Sequence, residues 1–293
     1  ILFSILITGC RSDDGDHSDS ASNPTTKSAN TFGDDVSFLK KWDQNLVVLE
    51  NGNARIIVSP KYQGKVFTST ADGDVGKSFG WINYSAFEKE KDPHMNAYGG
   101  EDRLWLGPEG GPFSLYFAPG TEMIFDNWHT PPPIDTEDWQ LVSSSEKEAA
   151  MSKSMELKNY AGTLLKINLN RSVQMLDVPA IENMLAVSLG NKVKSVGFKT
   201  INKLQNTGNF AWDQKTGAPC MWNLDMFTPS PETVILVPYE TSVQGKIATT
   251  DYFGEIPADR IKMEDGMLYF KADGHSRGKL GIPPQRAKNV AGS

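Results

Sequence analysis

Cysteine is nearly missing from this chain, with Cys10 and Cys220 the only two among 293 residues. Stabilisation by a disulfide framework is therefore not expected, nor is a zinc site of paired cysteines. Histidine is almost as scarce: His17, His94, His129 and His275. No HExxH motif occurs, so no transition metal is indicated, and the sequence calls for no cofactor. GxxxxGK[ST] is absent, as is the dinucleotide fingerprint GxGxxG. No run of basic residues occurs, and the net charge is -7. Nucleic acid is thus excluded as a partner, because its binders need a clustered basic face. No apolar run reaches the roughly 20 residues of a spanning helix.

What is present divides into three parts. Residues 1–10, "ILFSILITGC", are an apolar run that ends in a cysteine. Ile7-Thr8-Gly9-Cys10 resembles the lipobox of bacterial lipoproteins, which implies a lipid on Cys10 and attachment to a membrane. Residues 11–34 are rich in Ser, Asp, Asn and Gly, with little to bury, and read as a flexible tether. Asp13 and Asp14 resemble the acidic export signal of Bacteroides-type surface lipoproteins. The expected location is the bacterial cell envelope, as an outer-membrane lipoprotein with surface exposure. With Cys10 lipidated, Cys220 has no partner, and its apolar neighbours Pro219 and Met221 predict burial.

Residues 35–293 read as one all-β domain. Short runs such as "NLVVLE", "ARIIVSP", "KVFTST", "TLLKINLNRSVQML", "TVILVPY" and "MLYFKA" are rich in Val, Ile, Leu, Phe and Thr. Asn51-Gly52, Asp72-Gly73, Thr207-Gly208, Asp265-Gly266 and Asp273-Gly274 punctuate them as turns. A tight hairpin is expected at Asn51-Gly52. Helical periodicity is weak and best at Val178–Met184. Such spacing suggests a sandwich or barrel. The ending at Ser293 carries no stop signal, so a further strand or two is expected beyond it.

"ARIIVSPKYQGKVFTSTADG" is similar to the opening hairpin of galactose mutarotases and related epimerases. "GGEDRLWLGPEGG", residues 99–111, resembles a glycine pair, aromatic, proline and further glycine in the hexose-phosphate epimerases of that superfamily. Gln205-Asn206-Thr207-Gly208 resembles their strand-ending turn. More narrowly, "NAYGGEDRLWLGPEGGPFSLYF" and "WNLDMFTPSPETVILVPY" resemble a family of Bacteroides-type lipoproteins of unknown function. The broad resemblance implies a mutarotase-like supersandwich of two large antiparallel sheets that holds a sugar. It also implies an acid histidine on the strand after the turn, yet Met221–Phe227 contains none. The superfamily's catalytic pair therefore does not carry over.

The residues themselves offer candidates. Glu109, in "GPEGG", reads as the most exposed of these carboxylates and is the expected general base, since a partly desolvated pocket around a carboxylate would raise its pKa toward neutrality. His129, in "DNWHTPPP", is the expected acid or ligand. Glu101, Asp102 and Arg103 form either a sugar-binding ionic cluster or a buried brace at a corner. Trp105 is either core or platform. Asp126, Trp128 and Trp222 complete the expected substrate-binding set, since sugars stack on aromatic faces and hydrogen-bond to carboxylates. The acids at Asp72–Asp74 and Asp135–Asp138 match no calcium loop and read as solvated. The expected function is a lipid-anchored carbohydrate-binding protein, with mutarotase or epimerase action as its enzymatic form. The alternatives are an assembly lipoprotein that uses its sandwich for protein contacts, and a polysaccharide lyase, which usually brings a helical toroid domain not seen here.

Overall fold

The computed structural model describes residues 4–7, 30–252, 254–276 and 278–288. Cys10 and residues 11–29 of the expected tether lie outside the described residues. The all-β expectation holds: the chain is 37% strand and 12% helix, in several antiparallel sheets. Two compact units are present, residues 27–228 and residues 229–293 with 1–26.

In chain order the elements begin with β1 (Ser4–Ile7) and α1 (Phe32–Leu39). The hairpins β2 (Val47–Asn51), β3 (Ala54–Ser59) and β4 (Lys65–Thr70) follow. Next come α2 (Tyr84–Phe87), β5 (Arg103–Gly107), β6 (Gln140–Ser144), β7 (Glu148–Lys158) and β8 (Leu164–Met175). Then α3 (Val178–Leu185), β9 (Phe198–Asn206) and β10 (Cys220–Leu224) complete the larger unit. The smaller unit adds β11 (Val234–Pro238), β12 (Ile261–Glu264), β13 (Met267–Lys271) and β14 (Gly278–Gly281).

In the larger unit β2, β3 and β4 form one sheet, and β6, β7, β8 and β9 another. The β2–β3 hairpin closes on Asn51 opposite Ala54, so Gly52 and Asn53 form its two-residue turn. Gly52 takes φ +63°, which a side chain at the first central position of such a turn would oppose. Both faces of β3 are buried. Ile56 and Val58 join a core with Met151, Leu169 and Val173 of the four-stranded sheet. Ile57, on the opposite face, packs with Phe32 and Leu39 of α1. One sheet thus has a second sheet on one side and a helix on the other, which explains the unbroken apolar run of β3. α1 starts at Phe32, inside the stretch read as tether, because Thr31 and Asp34 form a reciprocal capping box. α3 covers the predicted Val178–Met184, opened by the side chain of Asp177.

The smaller unit has its own core, built around Leu268, Phe270, Leu280 and Ile282. β13 is central between β11 and β12, and Asp265-Gly266 forms the β12–β13 turn with positive φ at both residues. β1 pairs antiparallel with β14.

Candidate functional site

The segment leading into β5 is a seam. Val66 N–H donates to the Asp102 carbonyl at 3.0 Å, and Asp102 N–H returns the bond at 3.1 Å. Glu101 N–H donates to the Phe67 carbonyl at 3.1 Å. The two preceding glycines make this approach feasible. Gly99 has φ +80°, and a Cβ there would lie 2.3 Å from the Trp81 carbonyl oxygen. Gly100 has φ +119°, and its Cβ would lie 2.5 Å from Cδ of Lys65. On this extended segment neighbouring side chains point to opposite faces, so Asp102 parts company with Glu101 and Arg103.

Asp102 faces β8. It forms a close ion pair with Arg171, whose side chain is fully buried. Arg171 Nε donates to the Gly64 carbonyl at 2.9 Å and Nη1 to Asn202 Oδ1 at 2.9 Å. Asn223 Nδ2 donates to the second oxygen of Asp102 at 3.1 Å. Desolvation lowers the Arg171 guanidinium to about 10, so it stays charged at neutral pH, supported by the field of Asp225. Asp225 itself is open to water on one side, and the crowding protein around it raises its carboxyl against the pull of Arg171.

The other face is different. Glu101 is buried and accepts a bond from Ser69 Oγ at 2.7 Å, while its Oε2 has no partner. Burial raises its carboxyl to about 7. Lys65 and Arg103 occupy opposite positions across the seam, next to the Val66–Asp102 bridge. Lys65 Nζ sits 5.1 to 6.0 Å from the ring centroids of Tyr62, Phe67 and Tyr98. Desolvation, and then the neighbouring Arg103, push its amine well below the usual lysine range. Desolvation lowers Arg103 to about 10. Asp135 acts on both cations from a distance. Its oxygens are taken by Asn96, with Nδ2 at 2.7 Å.

Arg103 also opens an aromatic cluster, with its guanidinium 4.1 Å from the Trp105 ring centroid. Trp105 is opposite Trp222 in the β5–β10 pair and meets it edge to face at 5.6 Å. Tyr116 and Trp128 stack at 5.2 Å, with Trp128 at 6.3 Å from Trp105. Phe125, His94 and His129 extend the stack outward, the two imidazoles nearly parallel at 4.8 Å. His94 Nδ1 contacts the Trp128 carbonyl at 2.6 Å and His129 Nδ1 the Pro93 carbonyl at 2.8 Å. Carbonyls only accept, so each Nδ1 bears a proton and each Nε2 is left to face outward chemistry.

The structure therefore brings Arg103, Trp105, Trp128 and Trp222 together, with His129 at the outer end of the stack. Asp126 is exposed on the same loop. Glu101, Asp102 and Arg103 do not form one ionic cluster, because strand alternation separates Asp102 from the other two. Trp105 is core, almost wholly buried. Glu109 is exposed, as its sequence setting predicts, because the turn after β5 carries it outward past Gly107-Pro108. Its field nevertheless reaches Tyr116, whose carbonyl accepts from His129 N–H. Cys220 is exposed, not buried, at the start of β10, opposite Gly107. Asp135 is buried and bonded, not solvated, and Asp74 pairs with Arg55.

Sequence reasoning missed Lys65, Arg171 and Asp225. For Arg171 a signal existed: it occupies the inward phase of an alternating strand. It also passed over Gly274-His275-Ser276-Arg277-Gly278, which has the spacing of a nucleophile elbow. That elbow needs a helix after the serine, whereas this stretch leads from β13 to β14, with Arg277 outside the described residues. Two surface depressions, one at Asn51, Lys147 and Lys199 and one at Ser154, Lys166 and Thr207, involve none of the candidates. Among the described residues no three His, Cys, Asp or Glu side chains are placed to hold a metal. No helix among them is long and apolar enough to cross a membrane.

No curated protein and no solved structure matches the chain. A family profile matches residues 30–293, nearly all of the described residues. The chain belongs to that family, DUF6786, a family of unknown function.

Proposed function

We propose that this protein binds carbohydrate at the half-buried rings of Trp128 and Trp222, which flank the core Trp105, and is held to a membrane by a lipid on Cys10. One observation carries the binding reading. Arg103 Nε, Trp105 Nε1 and Trp128 Nε1 are buried N–H donors without acceptors, all in one cluster. Unpaired buried donors are costly, and a polyhydroxylated ligand brings acceptors alongside C–H faces that stack on indoles. Exposed Asp126 and half-buried Asn127 add polar groups on the same loop. The finer reading of the fold, a mutarotase-like supersandwich, belongs to this proposal and rests on the quoted sequence motifs and the antiparallel sheets. Its enzymatic form would interconvert sugar anomers, with Glu109 and His129 as the exposed base and acid.

Trp128→Ala should weaken glycan affinity about tenfold or more, read by calorimetry against glycans selected on an array. Silence of the wild-type chain across neutral and acidic glycans would sink the reading. Anomerisation followed by NMR tests the enzymatic form, which fails if no hexose equilibrates above background. For the anchor, Cys10→Ala in the full-length precursor should move the protein from the membrane fraction to the soluble one. Unchanged membrane retention would refute lipidation at that residue.

The assembly reading has one observation in its favour. Met123, Ile124 and Phe125 are consecutive exposed apolar residues, Phe125 being 69% exposed. A contiguous apolar tip of this kind suits contact with another protein.

A further inference from the structure

Lys65 and Arg103 are two buried cations set directly across the seam from each other. Lys65 is 1% exposed and Arg103 3%. Like charges placed opposite one another on neighbouring strands repel, and here little water screens them. Buried charges in proteins are normally paired. Yet among the described residues neither has a carboxylate within salt-bridge reach or a hydrogen-bond acceptor. Lys65 has only ring faces. Arg103 has the Trp105 face, and its Nε is sealed without a partner. Asp135, the acid whose field reaches both, is committed to Asn96 through both oxygens. Glu101, two residues before Arg103, is bonded to Ser69 instead. Gly100 leaves room for the lysine stem, since a Cβ there would lie 2.5 Å from Cδ of Lys65.

We infer that Lys65 and Arg103 form an anion-binding site that takes the negatively charged group, a carboxylate or a phosphate ester, of an acidic sugar. The guanidinium offers a planar fork to two oxygens and the lysine a point charge, a pairing suited to either group. A bound anion would relieve the repulsion and give Arg103 Nε its missing acceptor. The inference rests on the carbohydrate-binding reading for the sugar, and on the cation pair for the charge. The depressed lysine pKa agrees with an amine lacking its counter-ion.

The test is calorimetry on the full chain with galactose, galacturonate, galactose 6-phosphate and inorganic phosphate at constant ionic strength. At least one acidic sugar should bind tenfold or more tighter than galactose. Arg103→Met and Lys65→Met should each cut that preference to about twofold or less, whereas Trp128→Ala should weaken neutral and acidic sugars alike. Should either cation variant fail to fold, thermal shifts of the wild-type chain give the same comparison. There galacturonate or galactose 6-phosphate should raise the melting temperature more than galactose does. Equal binding of neutral and acidic sugars overturns the anion site and leaves the sugar reading standing. Inorganic phosphate binding as tightly as the sugar phosphate makes the site one for a free anion and overturns the sugar half. No binding of any of the four overturns both.

Discussion

Asp102→Ala should cost the larger unit about 3–5 kcal/mol of stability, the loss seen when one member of a buried pair is removed. Arg171 stays behind with a buried positive charge. Its Nε and Nη1 keep the Gly64 carbonyl and Asn202, but Nη2 loses its ion-pair partner, and only the field of Asp225 still supports the charge. Asn223 Nδ2 also loses its acceptor. At about 2–4 °C per kcal/mol for a unit of this size, the melting temperature should fall by roughly 10 °C. Urea unfolding followed by tryptophan fluorescence reads the effect. Asp102→Asn keeps an oxygen for Arg171 and should lose less. Asp102→Leu combined with Arg171→Met removes both charges and should recover most of the loss. A cost below about 1 kcal/mol for Asp102→Ala would show that Arg171 finds another partner.

Glu101→Gln should act in the opposite sense and only above acidic pH. Burial raises the folded carboxyl from 4.5 to about 7. Between those values the folded chain holds a proton that the unfolded chain has released. Stability then falls as pH rises through this window and levels off above it. Glutamine stands in for the protonated acid and can still accept from Ser69 Oγ through its own oxygen. The variant should therefore match the wild type at pH 4 and exceed it at pH 8 by about 3 kcal/mol, because each pH step between the two values is worth about 1.4 kcal/mol. Asp35 and Asp135 are raised by burial too, so the variant keeps part of the acid-side preference. Parallel melting curves over pH 4 to 8 would refute the assignment of that dependence to Glu101.

Local chemistry was readable in the sequence where neighbours in the chain settle the outcome. The β2–β3 hairpin, the Asp265-Gly266 turn and α3 belong to this class. So does the strand-rich body, because β-branched and aromatic runs between turn residues leave few alternatives. The site was legible only as a list of residue types. The glycine pair of "GGEDR" permits close backbone approach, yet nothing in the motif named Lys65 or Trp81 as the groups approached. Asp102 finds Arg171 across 69 residues of sequence, a pairing fixed by two sheets meeting and not by spacing. Cys220 misled for a related reason: apolar neighbours in sequence do not decide which way a strand residue turns. Lys65 was hidden in "KVFTST", where every residue proved to be buried.

Arg171 has a consequence beyond the charge it carries. Along β8, Leu165, Ile167, Leu169, Val173 and Met175 share its inward phase. To hydrophobicity alone, a shift of β8 by two residues is nearly invisible, since each apolar side chain would replace another. The guanidinium breaks that degeneracy. Slid either way, it would lie among aliphatic chains while Leu169 or Val173 faced Asp102. One ionic residue in an otherwise interchangeable row thus gives the long β7–β8–β9 pairing a single zero point, and misaligned sheets become costly before the rest of the unit has closed over them.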